Sequence, residues 1–199
     1  MTRIHFILGG QSSGKTRHAL TVAEAAYQRL GQGTTTQKRG GLFYLATATN
    51  LDAEMAQKAA DHQTERAQRG MGWQTVEEPL AIDKVIAAAA ADSVWVIDSL
   101  GLWLCNIMMA TGDESANNVN EKLLDQPRHE QLSAALVASR AHRIIIVSDE
   151  VGLAPVPADA ITRQFARRLG LLHQHIARLA QRFDFVVAGI PLAITGEGL

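Results

Sequence analysis

The sequence predicts an α/β protein in which helices cover both faces of a mainly parallel sheet. Two observations carry this prediction: short apolar runs alternate with longer amphipathic segments, and a glycine-rich motif directly follows the first apolar run. Strands that alternate with helices require crossover connections, which make the strands parallel and place the helices over the sheet. Ligands of such sheets bind beyond the carboxyl ends of the strands, so we expect the functional residues there.

The predicted strands are short runs rich in β-branched and aromatic residues, bounded by polar or glycine-containing segments. The run VWVID ends in an acidic residue, and the run RIIIVS is followed by two of them. We expect several strand ends to meet at one edge of the sheet, namely Gly9, Asp98, Ser148 and Gly189. The predicted strands cover residues 3–8, 42–47, 73–78, 94–98, 143–148 and 183–191.

The segments between these strands are predicted helices and loops. Asn50 can cap the second helix, and Pro79 fits at or near the first position of the third. Two polar segments, residues 31–40 and 111–128, are predicted loops. Apart from the helix after Asn50, the predicted helices cover residues 15–30, 79–90, 99–110, 129–139 and 158–182.

The composition indicates a single globular domain over residues 1–199. Hydrophobic residues make up 47% and charged residues 20%, which allows a full core. A net charge of −1 provides none of the positive potential expected of a protein that binds nucleic acid or an anionic membrane. The single cysteine, Cys105, excludes an internal disulfide, and no apolar run has the length of a signal peptide or membrane span. We therefore expect a cytoplasmic location.

The segment GGQSSGKT matches the phosphate-loop pattern G-x-x-x-x-G-K-[ST] in full, between a predicted strand and a predicted helix. Such glycines let backbone N–H groups converge on phosphate oxygens at a helix N-terminus. A glycine-rich turn could match by chance, but this context favours nucleotide binding and a P-loop NTPase (RecA-like) architecture. In this pattern the lysine reaches the β- and γ-phosphates. The predicted nucleotide-binding residues are Gly9, Gly10, Gln11, Ser12, Ser13, Gly14, Lys15 and Thr16.

Asp98 is the candidate partner of Thr16 in binding Mg²⁺. It ends an apolar strand, which is the Walker B arrangement, so its carboxylate can join the metal shell opposite the Thr16 hydroxyl. The alternative is a cap for the helix that follows. Asp149 and Glu150 are weaker metal candidates and are otherwise solvated turn residues. The chain has no N-K-x-D motif, which disfavours a signalling GTPase.

His62 is a candidate nucleophile. On a helix it shares one face with Met55, Ala59 and Arg66. A neutral imidazole can attack phosphorus to form a phosphoramidate, which divides one difficult transfer into two steps. Arg66, one turn later, could contact the same phosphate. From spacing alone, a lone helix histidine is more often a surface or packing residue.

Segments spread over the whole chain resemble one enzyme family. They are the phosphate loop, FYLATA, DAEMAQKAADHQTER followed by WQTVEEPL, VIDSLGLWLCN, IIIVSDEVGLAPVP, RQFARRLGLLHQHIA and FVVAGIPLAI. The combination of H-x-x-x-R with W-x-T-x-E-E-P, S-D-E-V-G and V-A-G-I-P is more specific than the phosphate loop alone. On these motifs the chain resembles the bifunctional adenosylcobinamide kinase / adenosylcobinamide-phosphate guanylyltransferase family of cobalamin biosynthesis.

The resemblance implies an enzyme that phosphorylates adenosylcobinamide with ATP or GTP and Mg²⁺. It then transfers GMP from GTP onto the new phosphate, which gives adenosylcobinamide-GDP. The resemblance implies that His62 is the family's covalent histidine and that Arg66 is its basic companion. It also implies that Glu78 of the W-x-T-x-E-E-P segment contacts nucleotide and that Lys15 is catalytic. The family forms homotrimers, so the resemblance implies a homotrimer.

The chain departs from the family pattern at several positions, including a longer loop over residues 31–40 and Ala67 in place of a common proline, and two other functions stay open. Ala154 and Pro155 stand where the family has glycine and isoleucine, and His173 stands where asparagine is common. One alternative is another small-molecule P-loop kinase without a covalent intermediate, which would not need His62. The other is a nucleotide-dependent switch without transfer chemistry.

Overall fold

A computed structural model gives the structure of residues 2–31, 40–49, 53–110 and 126–196. Some predictions fall on stretches outside these described residues, namely most of the two polar loops and the capping role of Asn50. The side chain of Met55 also lies outside the described part.

The described residues contain one seven-stranded sheet with the spatial order β3-β2-β4-β5-β1-β6-β7. Its strands are β1 (Arg3–Gly9), β2 (Gly41–Ala46), β3 (Gln74–Glu77), β4 (Ser93–Asp98), β5 (Arg143–Asp149), β6 (Arg182–Val187) and β7 (Ile190–Thr195). The first six strands are parallel, and β7 pairs antiparallel with β6. One strand, β5, therefore separates the phosphate-loop strand β1 from β4, which ends in Asp98.

Helices cover both faces of this sheet, which confirms the predicted fold class. In the described residues they are α1 (Lys15–Leu30), α2 (Ala53–Gln68), α3 (Ile82–Ala87), α4 (Leu100–Ala110), α5 (Gln126–Ala138) and α6 (Ala160–Leu179). Because side chains alternate along a strand, Val96 of β4 packs in the core beneath α1 and Ile97 in the core beneath α3 to α6. Among the described helices, the phosphate-loop helix α1 covers the centre of its face, and α2 lies beside it.

Helix α5 begins at Gln126, inside the predicted loop of residues 111–128, and the starts of α3 and α6 differ from the prediction because side chains hold a turn before each helix. Helix α1 spans the predicted residues, but α3 begins at Ile82 and not at Pro79. The Glu78 carboxylate accepts hydrogen bonds from the backbone N–H groups of Leu80 and Ala81, which fixes a turn in place of a first helical turn. Helix α6 likewise begins late, after Asp159 accepts a hydrogen bond from the Thr162 N–H at 2.7 Å.

The prediction of one final strand over residues 183–191 was wrong, because the segment is a hairpin of β6 and β7. The turn residues Ala188 and Gly189 both have positive φ, at 51° and 79°. Two-residue loops of this kind match the twist of the strands they join. All of β7 is exposed, including the apolar side chains of Ile190, Leu192 and Ile194.

Within the described ranges, no helix is both long enough and apolar enough to cross a membrane.

Candidate active site

The phosphate loop joins β1 to α1, and two of its glycines are constrained, Gly9 by space and Gly14 by backbone conformation. A Cβ on Gly9 would lie 2.6 Å from both the Ser13 hydroxyl oxygen and the Val186 carbonyl oxygen. Gly14 caps α1 in the left-handed region, with φ of 92°, a conformation that costs other residues about 1–2 kcal/mol. Between them, Gln11 and Ser12 are exposed. These two glycines of the motif are therefore required by the geometry of the loop.

Neighbouring segments hold the phosphate loop in place. The Gly189 N–H donates to the Ser13 carbonyl oxygen at 2.8 Å, and the Glu150 N–H donates to the Gly9 carbonyl oxygen at 2.9 Å. The Ser13 hydroxyl oxygen is buried without a hydrogen-bond partner. Because buried polar groups normally have partners, this hydroxyl is suited to contact a bound anion.

Lys15 is buried and pairs with Asp149, an acid to which the sequence assigned only a weak metal role. The Lys15 Nζ lies 2.6 Å from Asp149 Oδ1 and donates to the Gly10 carbonyl oxygen at 3.1 Å. Glu150 has a different role, because its carboxylate accepts hydrogen bonds from the N–H groups of the turn that follows β5. Asp149 is thus the counterion of the loop lysine in this structure, and Glu150 is a turn residue.

Thr16 and Asp98 lie together, as expected of two ligands of one Mg²⁺. Thr16 Oγ1 donates to Asp98 Oδ2 at 2.8 Å, and the Tyr44 phenol donates to the same oxygen at 2.9 Å. Burial, with a further contribution from Asp98, raises the pKa of Tyr44 well above its ordinary value, so the phenol keeps its proton. A hydroxyl and a carboxylate are hard oxygen ligands, which fit Mg²⁺. Sequence analysis missed Tyr44; the available signal was a phenol in an otherwise apolar strand.

We expect Asp98→Asn to raise the Mg²⁺ concentration needed for half-maximal activity. It should also lower the rates of the phosphoryl transfer and the guanylyl transfer that the family resemblance implies. The change removes one negative charge from the proposed metal shell while it keeps an oxygen that can accept from Thr16. Mg²⁺ titrations of wild type and variant measure this effect. Glu130→Gln is the matched control, because Glu130 is an exposed acid on α5. Superimposable titrations of wild type and Asp98→Asn would show that Asp98 is not a metal partner.

Arg66 is buried above Tyr44, and two of its nitrogens have no hydrogen-bond partner. Its guanidinium carbon lies 3.7 Å from the centre of the Tyr44 ring, a cation–π contact. Its Nη2 donates to Thr75 Oγ1 at 3.1 Å, whereas Nε and Nη1 are buried and unpartnered. A cavity of about 380 Å³ adjoins the side chain, lined by Gln63, Arg66, Ala67, Gly72, Trp73 and Thr75. The two free N–H donors are suited to an anionic oxygen.

His62 lies one turn before Arg66 on α2 and is accessible to a ligand. Its side chain is 45% exposed, and its Nδ1 is 3.9 Å from Glu65 Oε2. Glu24 of α1 holds α2 nearby, because its carboxylate accepts hydrogen bonds at 3.0 Å from Arg69 and from the Trp73 indole. The predicted histidine and arginine are therefore on a helix fixed beside the phosphate-loop helix.

Glu78 has a local structural role in addition to its predicted nucleotide contact. The hydrogen bonds that its carboxylate accepts from the N–H groups of Ala81 and Leu80 lower its pKa. The nucleotide contact stays a prediction.

Ser148 and His173 are paired beneath α6, away from the phosphate loop. His173 Nε2 lies 2.8 Å from Ser148 Oγ, and both side chains are buried. Strand alternation sends Ser148 to the opposite face from Asp149, although both are at the end of β5. Burial lowers the pKa of His173 to about 4, so the imidazole is neutral. Of the residues that differ from the family pattern, His173 therefore makes a contact in the core, whereas Ala154 and Pro155 are exposed.

Comparisons with known proteins agree over almost the whole chain. The family model described as "Cobinamide kinase / cobinamide phosphate guanyltransferase" matches residues 5–194. A bifunctional adenosylcobalamin biosynthesis protein CobP of Pseudomonas aeruginosa is 34% identical over 97% of this chain and 98% of its own. Bifunctional adenosylcobalamin biosynthesis proteins CobU of Escherichia coli and Salmonella typhimurium are 26% and 27% identical, each over 94% of this chain and 97% of its own.

Proposed function

Because the chain belongs to the cobinamide kinase / cobinamide phosphate guanyltransferase family, we propose that it carries out both activities of that family in cobalamin biosynthesis. It phosphorylates adenosylcobinamide with ATP or GTP. It then transfers GMP from GTP to the new phosphate through a histidyl-GMP intermediate, which gives adenosylcobinamide-GDP. The observation that carries the proposal is the assembly of Lys15, Thr16 and Asp98 at the carboxyl ends of the parallel strands, with His62 and Arg66 on helix α2 nearby.

The kinase step depends on positioning and charge. The phosphate loop, with the N-terminus of α1, provides N–H groups for the phosphates, and Lys15 provides a positive charge for the transferred phosphoryl group. Asp149 holds this ammonium 2.6 Å away in the present structure, so the lysine is already oriented toward the loop. Thr16 and Asp98 would hold Mg²⁺, which when bound neutralises the charge that develops on the phosphate oxygens.

The guanylyl step assigns separate roles to His62 and Arg66. An imidazole nitrogen of His62 attacks the α-phosphorus of GTP; the P–N bond forms while the bond to the bridging oxygen breaks and pyrophosphate leaves. A phosphate oxygen of the phosphorylated substrate then attacks the same phosphorus and breaks the P–N bond. The unpartnered Arg66 Nε and Nη1 groups are the donors available to the α-phosphate oxygens during both displacements.

One product analysis tests the proposal. The protein is incubated with adenosylcobinamide, Mg²⁺ and GTP, and the corrinoids are identified by mass. We expect the phosphate to appear first and the GDP derivative afterwards. The phosphate alone would indicate a kinase without guanylyl transfer, and no new corrinoid would indicate a nucleotide-binding protein without transfer chemistry.

The enzyme is further proposed to be a cytoplasmic homotrimer that assembles through β7. Strand β7 is the edge of the sheet, and its outer hydrogen-bonding groups have no neighbouring strand in the described residues. Ile190, Leu192 and Ile194 alternate along it, so they form one apolar stripe, and each is at least half exposed. Unprotected apolar edges of this kind favour pairing with another chain.

We expect Leu192→Asp to dissociate the assembly, because it places a charge at the centre of the apolar stripe. Size-exclusion chromatography with light scattering gives the mass. Ala193→Asp is the control, since this residue lies on the opposite face of the same strand. If the wild type is monomeric, or if Leu192→Asp keeps the mass of the wild type, the interface is not at this stripe.

A further inference from the structure

Arginines from three adjacent strands gather at the amino ends of the sheet, opposite the phosphate loop. Arg3 and Arg143 are register partners in the β1–β5 pair, and Arg182 begins β6 on the other side of β1. Strand alternation directs all three side chains toward the face that α1 covers. The last turn of α1 adds Arg29. This arginine cluster consists of Arg3, Arg29, Arg143 and Arg182.

The carboxylate nearest this cluster is already occupied. Asp184 Oδ1 accepts a hydrogen bond from Arg182 Nε at 2.9 Å. Its other oxygen, Oδ2, lies 2.8 Å from the Nε2 atoms of both His5 and His18. Within the described ranges, no carboxylate forms an ion pair with Arg3, Arg29 or Arg143.

Arg143 has no carboxylate partner among the described residues. Its Nε is buried and has no hydrogen-bond partner. Burial lowers the pKa of its guanidinium, and the positive charges of Arg3, Arg29 and Arg182 lower it further. A partly buried cation among like charges is unfavourable unless an anion pairs with it. An anion bound here would remove that cost.

Arg3 of this cluster also lines a cavity that provides space for such an anion. It measures about 510 Å³ and is lined by Thr2, Arg3, Ala91, Ser139, Arg140, Ala141 and His142. Arg3 and Arg140 give it two guanidinium groups, whereas the hydroxyl groups of Thr2 and Ser139 already donate to backbone carbonyl oxygens. Asp92 is an acid near His142, one of the lining residues. The cavity is therefore mainly cationic and is large enough for more than one phosphate group.

We propose that Arg3 and its strand neighbour Arg143, with the cavity that Arg3 lines, bind a compound that carries two or more linked phosphate groups, as a second anion site separate from the phosphate loop. Guanidinium groups on neighbouring strands can each hold two oxygens of such an anion, which a single monovalent ion cannot match. Pyrophosphate and nucleoside triphosphates share this chemistry. The site does not depend on the proposed transferase activity.

Equilibrium dialysis with labelled pyrophosphate tests the site on the full chain. We expect two binding sites per chain in the wild type. Lys15→Ala should keep the arginine site and lose or weaken the site at the phosphate loop. Arg143→Gln and Arg3→Gln should each weaken the arginine site by about tenfold or more, and keep the phosphate-loop site. Arg178→Gln, which removes an exposed arginine of α6, is the matched control and should bind as the wild type does.

The outcomes separate the proposal from its alternatives. A single site in the wild type, or complete loss of binding in Lys15→Ala, would overturn it. So would unchanged binding by Arg3→Gln; this variant alters an exposed side chain and decides the question if Arg143→Gln does not fold. Competition with unlabelled GTP in the Lys15→Ala variant then distinguishes the two possible ligands of the arginine site. Strong displacement of the labelled pyrophosphate identifies a nucleotide site, and weak displacement identifies a pyrophosphate site.

Discussion

Lys15→Ala is expected to lower the rate of adenosylcobinamide phosphorylation by about a hundred- to a thousandfold. The Lys15 ammonium is buried at the phosphate loop and held by Asp149 and the Gly10 carbonyl oxygen. Its position is therefore fixed before nucleotide binds, and its charge is available to the phosphoryl group during transfer. The rate is measured as labelled phosphate transferred from ATP to the corrinoid, and nucleotide affinity is measured separately.

Arg17→Ala is the control for Lys15→Ala. Arg17 is on the same helix, its side chain is 79% exposed, and its distance to Glu65 is 3.8 Å. Exposed pairs of this kind contribute little to stability, so this variant should keep nearly the wild-type rate. Phosphorylation by Lys15→Ala at that same rate would show that the loop is not the kinase site.

His62→Asn is expected to abolish covalent labelling of the protein by GTP labelled at the α-phosphate, together with guanylyl transfer. His62 is exposed to ligand and lies one turn before the unpartnered donors of Arg66. The wild type, without a corrinoid acceptor, should take up the α-label and no γ-label. The adduct should survive mild base and be lost in acid, because protonation of the nitrogen weakens the P–N bond. Kinase activity should remain, since the phosphate loop is unchanged.

The control for His62→Asn is another accessible histidine. His173 is unsuitable, because it is buried against Ser148 and its replacement would disturb the core. His175→Asn is better matched. His175 is on α6, as His173 is, but it is only partly buried and contacts Ser133. It should keep the label. Uptake of the α-label by His62→Asn, or an adduct mapped to another residue by peptide mass, would require a different nucleophile.

The parts of the site that sequence predicts best are those encoded by consecutive residues. The phosphate loop is such a segment, since the steric demands on Gly9 and Gly14 arise within a few residues of each other and α1 follows at once. The proximity of Thr16 and Asp98 was also predictable, because parallel strands place their carboxyl ends at one edge.

Contacts between distant segments could not be predicted in the same way. The hydrogen bond from Tyr44 to Asp98 and the ion pair of Lys15 with Asp149 depend on strand order, and many orders suit the same pattern of strands and helices. The hairpin at Ala188 and Gly189 was missed because one apolar run covers both of its strands. Only backbone geometry, with two positive φ angles, shows the reversal.

The turn at Ala188 and Gly189 connects two regions that the chain otherwise keeps apart. The Gly189 N–H is bonded to the phosphate loop at Ser13, and the next residue, Ile190, begins the exposed edge strand. If nucleotide binding displaces the loop, it also moves the start of the surface through which copies are proposed to meet. Binding free energies are reciprocal, so any change that nucleotide makes to subunit affinity must be matched by an equal change that assembly makes to nucleotide affinity. Assembly at this edge would then be coupled to nucleotide binding through the Gly189–Ser13 contact in each subunit.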